Sequence, residues 1–428
     1  MRIQKKTFRA TLFAFLVAVL GTAPAAATTF YVNGACSIDG NGRADQCATA
    51  AGDTGAKNSG AGLQALISGA ACGDTIVVRA YSGVYSDAAS GGSNYEDGAF
   101  MVSDKRCGSG ARLTIKGADR NNKPRLCTLS NCGYSEIPTI QVRNSSYVTI
   151  DGFHINGALT AYNPGVADHI EVAYCEFIGG MMCDGNFNTL YLSDTTYAYI
   201  HHNYFHDLRA DSTCGQAHRA FGKTFRTQYD VWEYNSMKRG GGDHLKWAVD
   251  MKDSPYYDVY RYNYFEAGVA VNRQNGSSRN PQGVDIYGNV FVSAPESDSQ
   301  GVEIYGDMDS VTVRYNTFGD GILCIGDSGW GPVLSSDFHD NIVHRTVGCE
   351  ILSSGGNAEM SSLAWSYRSN YSWHHNVYNS SGVYFGGGSS YSDLGSWQSA
   401  FGTGKEVGSI EATCTFVDDS ALNGNWSI

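Results

Sequence analysis

The chain has 428 residues, of which 42% are hydrophobic and 17% are charged, with 52 Gly, 8 Pro and 12 Cys. This composition supports a hydrophobic core and argues against intrinsic disorder. Asp and Glu (42) outnumber Lys and Arg (30), and the net charge of −12 argues against a nucleic-acid binder, which needs clustered cations. No run of about 20 apolar residues follows the N-terminus, so we expect no membrane span.

The N-terminus has the pattern of a secretory signal peptide. Basic residues precede an apolar stretch from Ala10 to Leu20, and three alanines follow at 25–27. An N-terminal anchor helix is the alternative, but the apolar stretch is too short to span a membrane. We therefore predict a signal peptide over residues 1–27 and a secreted protein, extracellular or periplasmic. Cysteines in an exported chain indicate disulfides rather than metal thiolates, and Cys36–Cys47 is a candidate local bridge.

A repeat runs along the chain from about residue 147. In each cycle β-branched or aromatic residues precede an asparagine, and an aromatic or apolar residue follows it. The recurring asparagines are Asn203, Asn235, Asn263, Asn289, Asn316, Asn341 and Asn376. A period of 20–50 residues indicates a solenoid or a propeller, and a propeller blade needs about 40–45 residues, which is too long here. The cycles contain short strands with period-two alternation and no convincing helix.

These features predict an all-β fold, a right-handed parallel β-helix with two or three strands in each coil. Stacked coils would place the asparagines one above another, with their amides hydrogen-bonded along the stack. Inward apolar residues would form a continuous core, and the handedness follows from the crossover preference of parallel strands. We predict one domain over residues 28–428, with an N-terminal cap over 28–80 and a C-terminal cap with loops over 379–428.

The open ends of a solenoid expose strand edges, so both ends need caps. Helical spacing within Ser59–Ala71 is shown by Leu63, Leu66 and Ile67. Gly73 closes this segment, which we predict to be a short capping helix. Near the other end, the Gly/Ser-rich stretch 380–392 is predicted to be a loop, with Trp397 and Phe401 as cap contacts.

Several segments resemble secreted bacterial β-helix proteins, and together they extend over most of the chain. They are Thr29–Asn33, Leu63–Ile67, Gly73–Arg79, Gly83–Tyr85, Leu113–Gly117, Tyr147–Gly152 and Ser396–Gln398. The middle, Gly288–Phe318, is similar to the central coils of the alginate lyase and chondroitinase B family of polysaccharide lyases. This resemblance implies a lysine base and an arginine near a cation held by acidic residues. Lys252 and Arg273, 21 residues apart, match the separation of that pair.

The same resemblance implies a calcium ion, for which this chain offers few ligands. Leu245 and Trp247 occupy the places of a Glu-x-Glu motif that precedes the family's lysine. Only Asp243 lies near an acidic ligand position, so it is the candidate calcium ligand.

The most unusual segment of the chain is Gly240–Lys252, because it combines basic and apolar residues in alternation. The predicted inward set is Leu245, Trp247, Val249 and Met251, and the predicted outward set is His244, Lys246, Asp250 and Lys252. Two lysines and a histidine facing solvent from one strand of an acidic protein indicate an anion site. We expect a solvent-accessible groove shared with the neighbouring coils.

Those neighbouring coils supply further candidates. Arg219 lies 27 residues before Lys246, and Arg273 follows the strand of the next coil. Alternation directs Glu303 and Tyr305 outward in the coil after that. On the other side of the segment it directs Tyr191 outward.

The chemistry that fits this set is β-elimination on a uronic-acid polysaccharide, such as an alginate-, pectate- or glycosaminoglycan-like polymer. A cation must neutralise the sugar carboxylate before the C5 proton becomes acidic enough to remove. A lysine can be the base when neighbouring cations and burial lower its pKa. Arginine binds a carboxylate in two-point fashion, and tyrosine or histidine can protonate the departing O4.

We predict that Lys246 is the base, with Lys252 as the close competitor. The other predicted catalytic residues are Arg273 and, as the acid, His244 or Tyr305. The predicted substrate-binding residues are Arg219, Tyr191, Asn272 and Glu303.

Other chemistries fit the sequence less well. The chain has no Gly-x-Ser-x-Gly, His-Glu-x-x-His or P-loop motif. A β-helix glycoside hydrolase needs two carboxylates across a groove, which Asp250 and Glu303 could furnish. A non-catalytic carbohydrate-binding or surface protein is the alternative from another class. We expect an anionic polysaccharide as the partner, no nucleic acid, and a monomer.

Overall fold

The structure is a computed structural model, and the described residues are 26–87, 98–133, 137–162, 167–179, 188–208, 220–240, 245, 247–253, 255–272, 282–292, 301–306, 308–319, 322–326, 333–344, 358–360, 365–379, 385–387 and 390–413. Most of the predicted signal peptide, residues 1–25, lies outside them. None of the helices in the described part of the chain combines the length and apolarity needed to cross a membrane.

The described strands form three long sheets, A, B and C, whose strands follow one another along the chain and pair in parallel with the next coil. Sheet A contains β1 (Thr29–Asn33), β2 (Thr75–Arg79), β5 (Leu113–Gly117), β8 (Val148–Asp151), β12 (Glu171–Ala173), β16 (Tyr199–His201), β19 (Val231–Glu233), β22 (Val259–Arg261), β25 (Gln282–Tyr287), β28 (Asp309–Arg314), β31 (Ser336–His339) and β34 (Tyr371–His374). Sheet B contains β3 (Tyr85–Ser86), β6 (Arg125–Cys127), β9 (His154–Asn156), β13 (Glu176–Ile178), β17 (Tyr204–His206), β20 (Ser236–Met237), β23 (Tyr264–Phe265), β26 (Val290–Phe291), β29 (Thr317–Phe318), β32 (Ile342–Val343), β35 (Val377–Asn379) and β38 (Ile410–Ala412).

Sheet C contains β4 (Phe100–Ser103), β7 (Ile140–Arg143), β10 (Leu159–Ala161), β14 (Leu190–Ser193), β18 (Ala220–Phe225), β21 (Trp247–Lys252), β24 (Gly268–Asn272), β27 (Gly301–Tyr305), β30 (Ile322–Gly326), β33 (Ala358–Met360), β36 (Phe385–Gly387) and β37 (Ser390–Tyr391). A short pair, β11 (Ala167–Asp168) and β15 (Thr195–Thr196), lies beside sheet A. The all-β parallel β-helix predicted from the sequence is confirmed.

The core lies inside the coils, where equivalent positions of successive strands stack. In sheet A the register aligns Ile150, Val172, Ile200, Trp232 and Tyr260, all of which are buried. These residues belong to one continuous hydrophobic cluster, as expected when each coil can bury its apolar face only against its neighbours.

The asparagine ladder predicted from the repeat is confirmed, and it runs along the corner between sheets A and B. Within it the Asn203 backbone N–H and side-chain Nδ2 both donate to Asn235 Oδ1 at 3.0 Å, and Asn203 Nδ2 also donates to the Val172 carbonyl. The same pattern repeats at every step to Asn376. Because all of these amides are buried, each coil depends on the next for its hydrogen bonds.

The corner between sheets C and A contains buried carboxylates. Asp258 accepts hydrogen bonds from Thr227 Oγ1 at 2.5 Å and from the Asp230 backbone N–H at 2.9 Å. Burial raises the pKa of Asp258 to about 7, and the two hydrogen bonds oppose this only in part. Burial, together with the Asp258 carboxylate, also raises the pKa of Asp230 well above its ordinary value.

Helices lie near both ends of the described chain. The predicted N-terminal helix is present as α1 (Gly60–Gly69), and the Ser59 hydroxyl accepts from the Gly62 N–H at its start. The predicted loop over 380–392 is wrong in part, because β36 and β37 pair there in antiparallel fashion. A second helix, α2 (Leu394–Phe401), and a 3-10 turn (Arg368–Asn370) are also present.

The residues predicted as C-terminal cap contacts form buried packing around α2. Trp397 and Phe401 are buried, and both pack against Trp365 and Trp373. An end of the solenoid core therefore meets aromatic rings instead of water.

Disulfides are present, as the sequence predicted. The candidate bridge Cys36–Cys47 is formed, and the others among the described residues are Cys72–Cys107 and Cys127–Cys132. Cys324 is also disulfide-bonded. Within the described part of the chain Cys175 is a free thiol, and burial raises its pKa to about 12, so it is inert at neutral pH.

Candidate functional site

The connections between strands differ sharply in length around the coil. In a central coil β16 ends at His201 and β17 begins at Tyr204, so the corner from sheet A to sheet B is short. By contrast, β17 ends at His206 and β18 begins at Ala220. The long connections border sheet C, and long connections on a rigid scaffold are where binding residues concentrate. The outward face of sheet C is therefore the candidate site.

The first polar row on this face runs across five coils. The register aligns Tyr191, Lys223, Asp250, Ala270 and Glu303, which lie on β14, β18, β21, β24 and β27. The residues before and after them in these strands belong mostly to the hydrophobic core, so this row faces outward. Neighbouring strands are about 4.8 Å apart, so the row offers closely spaced polar groups on a rigid sheet.

A second outward row lies two positions further along the same strands. It aligns Ser193, Phe225, Lys252, Asn272 and Tyr305. The predicted outward direction of Lys252 thus holds, and the structure brings it beside Asn272. Tyr305 is next in the row by its backbone, but its side chain lies outside the described set.

Direct contacts join the two rows at Asp250. Lys252 Nζ lies 3.3 Å from Asp250 Oδ2, and Asn272 Nδ2 donates to Asp250 Oδ1 at 2.9 Å. The three residues are 4%, 0% and 0% exposed. At this depth charges interact strongly, because water and salt screen them little. Asp250 therefore fixes both the ammonium and the amide on the outward face.

The prediction that Lys252 lines a solvent-accessible groove is wrong. Alternation specifies the face of a sheet on which a side chain lies, but not whether that face is covered. Lys252 is on the predicted face, yet it is only 4% exposed and forms an ion pair.

Trp247 was predicted to point inward, and the structure places it on the outward face. A β-bulge between Trp247 and Val249 shifts the register against β24 and breaks the alternation. The indole packs with Ala220 and Ala270 in a cluster separate from the core. Its Nε1–H donates at 3.0 Å to Oε2 of Glu303, two coils away. The small Ala270 side chain on the intervening strand leaves room for the ring to reach that far.

Tyr191 lies at the N-terminal side of the first row. Its ring stacks near Tyr162, with centroids 6.2 Å apart. Burial raises the pKa of Tyr191 to about 12, so its hydroxyl keeps its proton at neutral pH.

Five predicted site residues lie outside the described residues: Arg219, Asp243, His244, Lys246 and Arg273. Of the predicted set, the structure brings Lys252, Asn272, Glu303 and Tyr191 onto one face. Arg273 directly follows the last residue of β24.

Lys223 was missed by the sequence analysis. It is 4% exposed and lies between Tyr191 and Asp250 in the first row. Its position 27 residues before Asp250 repeats the spacing of one coil and was the available signal. The strand was overlooked because Gly222 fills the inward position, where a Cβ would meet the ring of Trp232.

The described residues do not fit the calcium ion implied by the family resemblance. Calcium takes six to eight oxygen ligands, many of them carboxylates. Within the described residues no group of three or more His, Cys, Asp or Glu side chains is placed to hold a metal ion. The two carboxylates of the outward rows are engaged by nitrogen donors, namely Asp250 by Lys252 and Asn272, and Glu303 by Trp247.

No protein-family model matches the chain, and no curated protein matches it. Among solved structures, an alginate lyase from Paenibacillus sp. str. FPU-7 aligns over 75% of this chain and 91% of its own, with 13% identity and a TM-score of 0.40. The alginate lyase AlyGC, of polysaccharide lyase family 6, aligns over 83% of this chain with 12% identity and a TM-score of 0.38, and the chain spans about half (53%) of its length. A lacto-N-biosidase of glycoside hydrolase family 136 from Eubacterium ramulus aligns over 78% of this chain and 67% of its own, with 11% identity and a TM-score of 0.36. Alginate lyases are thus among the structures to which this chain is similar, as the sequence predicted.

Proposed function

We propose that the protein is a secreted polysaccharide lyase that cleaves a uronic-acid polymer by β-elimination on the outward face of sheet C. The observation that carries this proposal is the placement of Lys223, Asp250, Lys252, Asn272 and Glu303 there. These residues come from four consecutive coils, and each is at most 4% exposed. Buried ionisable groups on the outer face of a sheet bordered by long connections are characteristic of functional sites.

In the proposed reaction, protons pass only between the sugar and two protein groups. A lysine amine takes the C5 proton, and the electron pair of the C5–H bond forms the C4–C5 double bond. The C4–O4 bond breaks, and an acid group protonates O4. Lys246 is the proposed base, because Lys252, its competitor from the sequence, is held as the cation of an ion pair with Asp250. Tyr305 or His244 is the proposed acid. The cation that lowers the barrier must lie beside the sugar carboxylate, because charge develops there in the transition state.

An extended polymer suits the shape of this face. Sheet C continues in parallel pairing from β4 to β36, with strands about 4.8 Å apart. A chain of sugars crossing the strands would meet a new pair of outward side chains at each coil. Tyr191 on one side and Glu303 on the other lie in the same row as Asp250 and are the proposed hydrogen-bonding groups for neighbouring sugars.

The test is an assay for unsaturated uronic acid by its ultraviolet absorbance. The purified protein is incubated with alginate, pectate, glucuronan and glycosaminoglycans, each with and without chelator. Lys252→Gln and Lys246→Gln are compared with Lys116→Gln, which removes the same charge from sheet A. We expect unsaturated product from one polymer and a loss of roughly 10²-fold or more in kcat for the variant that lacks the base.

Retention of full turnover in both Lys252→Gln and Lys246→Gln would refute the lysine-base mechanism. No unsaturated product from any of the polymers would refute the lyase proposal. Lys116→Gln should stay close to wild type, which separates a local effect from a general loss of charge.

A β-helix glycoside hydrolase is the second candidate, and one observation favours it. Asp250 and Glu303 lie in the same outward row with one strand between them, so two carboxylates face the same side of sheet C. Inverting hydrolases use two carboxyl groups, one as the acid and one as the base. A hydrolase would raise reducing ends without forming an unsaturated product. A non-catalytic binder would do neither.

A further inference from the structure

We propose that the protein has a second carbohydrate-binding surface, on the outer side of sheet A, which binds a neutral, extended polysaccharide through rows of exposed tyrosines. The surface lies on the coils that contain β16, β19 and β22. It is separate from the outward face of sheet C, and the proposal does not depend on the lyase activity.

Exposed tyrosines are concentrated along the two borders of sheet A. Among the residues that the structure describes, the exposed large aromatic side chains are all tyrosines on these borders, and they are 37% to 55% exposed. Those that precede β16, β19 and β22 are Tyr197, Tyr229 and Tyr257, and those that directly follow β19, β22 and β28 are Tyr234, Tyr262 and Tyr315. We call the first three the C–A row and the pair Tyr234 and Tyr262 the A–B row.

The rings within each row are stacked at a regular interval. In the C–A row the centroids of Tyr197 and Tyr229 are 5.0 Å apart, and those of Tyr229 and Tyr257 are 5.7 Å apart, with planes within 10° of parallel. In the A–B row Tyr234 and Tyr262 are 5.2 Å apart. Stacking orders the rings before a ligand arrives, so binding loses little side-chain entropy.

The turns themselves do not require tyrosine. All six tyrosines have φ between +54° and +58°, a left-handed conformation that is unfavourable for a bulky residue. At equivalent positions of later coils the C–A border has Gly283 and Ser310, and the A–B border has Gly288 and Asp340. Small or polar residues therefore suffice for the same turns, and the tyrosines add an exposed aromatic surface.

Both rows end at the same coil. Gly283 and Gly288 replace the tyrosines on either side of β25. A Cβ at Gly283 would clash with the ring of Tyr257, and a Cβ at Gly288 would lie 2.7 Å from the ring of Tyr262. The tyrosines of the two rows thus form one patch with a defined end.

The charges near the rows favour a neutral ligand. Arginines on this side of the solenoid are held in ion pairs with carboxylates, namely Arg112–Glu171, Arg261–Glu233 and Arg314–Asp285. An anionic polymer would have to compete with these carboxylates for the guanidinium groups. Tyrosine combines an apolar ring with a hydroxyl, which matches the C–H and O–H groups of a sugar. Rings repeated once per coil suit a polymer of identical sugars better than the irregular surface of a folded protein.

The test is affinity electrophoresis in gels that contain hydroxyethyl cellulose or a soluble β-1,3-glucan. We expect at least one polymer to retard the wild-type protein, with an affinity that changes by no more than about twofold between low and high salt. The double variant Tyr229→Asn/Tyr257→Asn should bind roughly tenfold or more weakly, because exposed tyrosines contribute strongly to binding surfaces. Asparagine tolerates positive φ, so the turns are kept, and circular dichroism establishes that the variant is folded. Tyr315→Asn is the matched control, because it removes an equally exposed tyrosine beyond the end of both rows, and it should bind as wild type does.

A second measurement needs no variant. The wild-type protein is nitrated with tetranitromethane with and without the polymer, and the modified peptides are identified by mass spectrometry. We expect the polymer to protect Tyr229 and Tyr257 and to leave Tyr315 reactive. This comparison decides the matter if the double variant does not fold.

Several results would overturn the proposal. One is the absence of retardation by both polymers, and another is wild-type affinity in the folded double variant. Equal nitration of Tyr229 and Tyr257 with and without a retarding polymer would place the binding elsewhere. Self-association in sedimentation velocity that the double variant abolishes, without polysaccharide binding, would identify a second copy of the chain as the occupant. Failure to form unsaturated product would refute the lyase proposal and leave this surface unaffected.

Discussion

Replacement of a ladder asparagine by alanine tests what holds the coils in register. Asn263 is 2% exposed, and its side chain takes part in four hydrogen bonds. Its Nδ2 donates to the Trp232 carbonyl at 2.9 Å and to Asn289 Oδ1 at 3.0 Å. Its Oδ1 accepts from the Asn235 backbone N–H at 2.9 Å and from Asn235 Nδ2 at 3.0 Å. Asn263→Ala removes all four bonds and leaves their partners buried.

The expected loss of folding free energy follows from the number of hydrogen bonds removed. A buried hydrogen bond contributes about 1 kcal/mol net, so four bonds amount to about 4 kcal/mol. Orphaned buried donors cost more than the net value of a bond, so the loss should not fall far below this figure. Asn122→Ala is the matched control because Asn122 is exposed, and it should change stability by no more than about 0.5 kcal/mol.

The assay is urea unfolding followed by far-ultraviolet circular dichroism and tryptophan fluorescence. Because solenoids can unfold in segments, amide hydrogen exchange at Asn235 supplies a local measurement. We expect a lower unfolding midpoint and faster exchange at that amide in Asn263→Ala. If the free energy of unfolding stays within about 1 kcal/mol of wild type and the Asn235 amide stays protected, the ladder does not stabilise the stack.

Three further predictions concern other buried groups. Asp258→Asn should reduce the pH dependence of stability in urea unfolding, because the pKa of the wild-type carboxyl is about 7, above its ordinary value, so its contribution is present below about pH 4 and is lost as the pH rises through 7. This gives the variant an advantage on the order of 4 kcal/mol at pH 8, and equal slopes for both proteins would contradict the prediction. Trp247→Phe should lower the free energy of unfolding by about 1–3 kcal/mol in the same assay, because Glu303 loses a buried hydrogen-bond donor. A variant as stable as wild type would show that this hydrogen bond contributes nothing. Joint replacement of Cys72 and Cys107 by alanine opens a loop with a sequence separation of 35 and should lower the free energy of unfolding by about 4 kcal/mol, whereas an unchanged calorimetric midpoint would rule out a stabilising bridge.

The fold could be predicted because its determinants recur. From Asn203 to Asn376, successive coils turn the same short corner between sheets A and B and an asparagine satisfies the backbone there, so the sequence shows the period directly. The N-terminal helix was also predictable, since three apolar residues at helical spacing follow a capping serine. The strands β36 and β37 were not, because Gly and Ser leave no alternation to detect.

The candidate site could be predicted only in part, for three physical reasons. A β-bulge is not visible as a break in alternation when apolar residues lie on both sides of it, so Trp247 was assigned to the wrong face. Alternation also carries no information about what covers a face, so the burial of Lys252 was not foreseen. Lys223 shows a third effect, since the small inward Gly222 hides the pattern of its strand.

The corners of each coil differ in length, and this difference relates the fold to the proposed chemistry. The corner between sheets A and B is short and carries the asparagine ladder, so it holds successive coils at a constant register. The connections from sheet B to sheet C differ in length from coil to coil, as the gap from His206 to Ala220 and the gap from Phe265 to Gly268 show. Variation on one side of a rigid stack lets buried charges such as Lys223 and Asp250 be placed without disturbing the core. A substitution in the ladder should therefore change stability and leave the relative positions of the outward rows intact, whereas a substitution in the outward rows should change binding before it changes the cooperativity of unfolding.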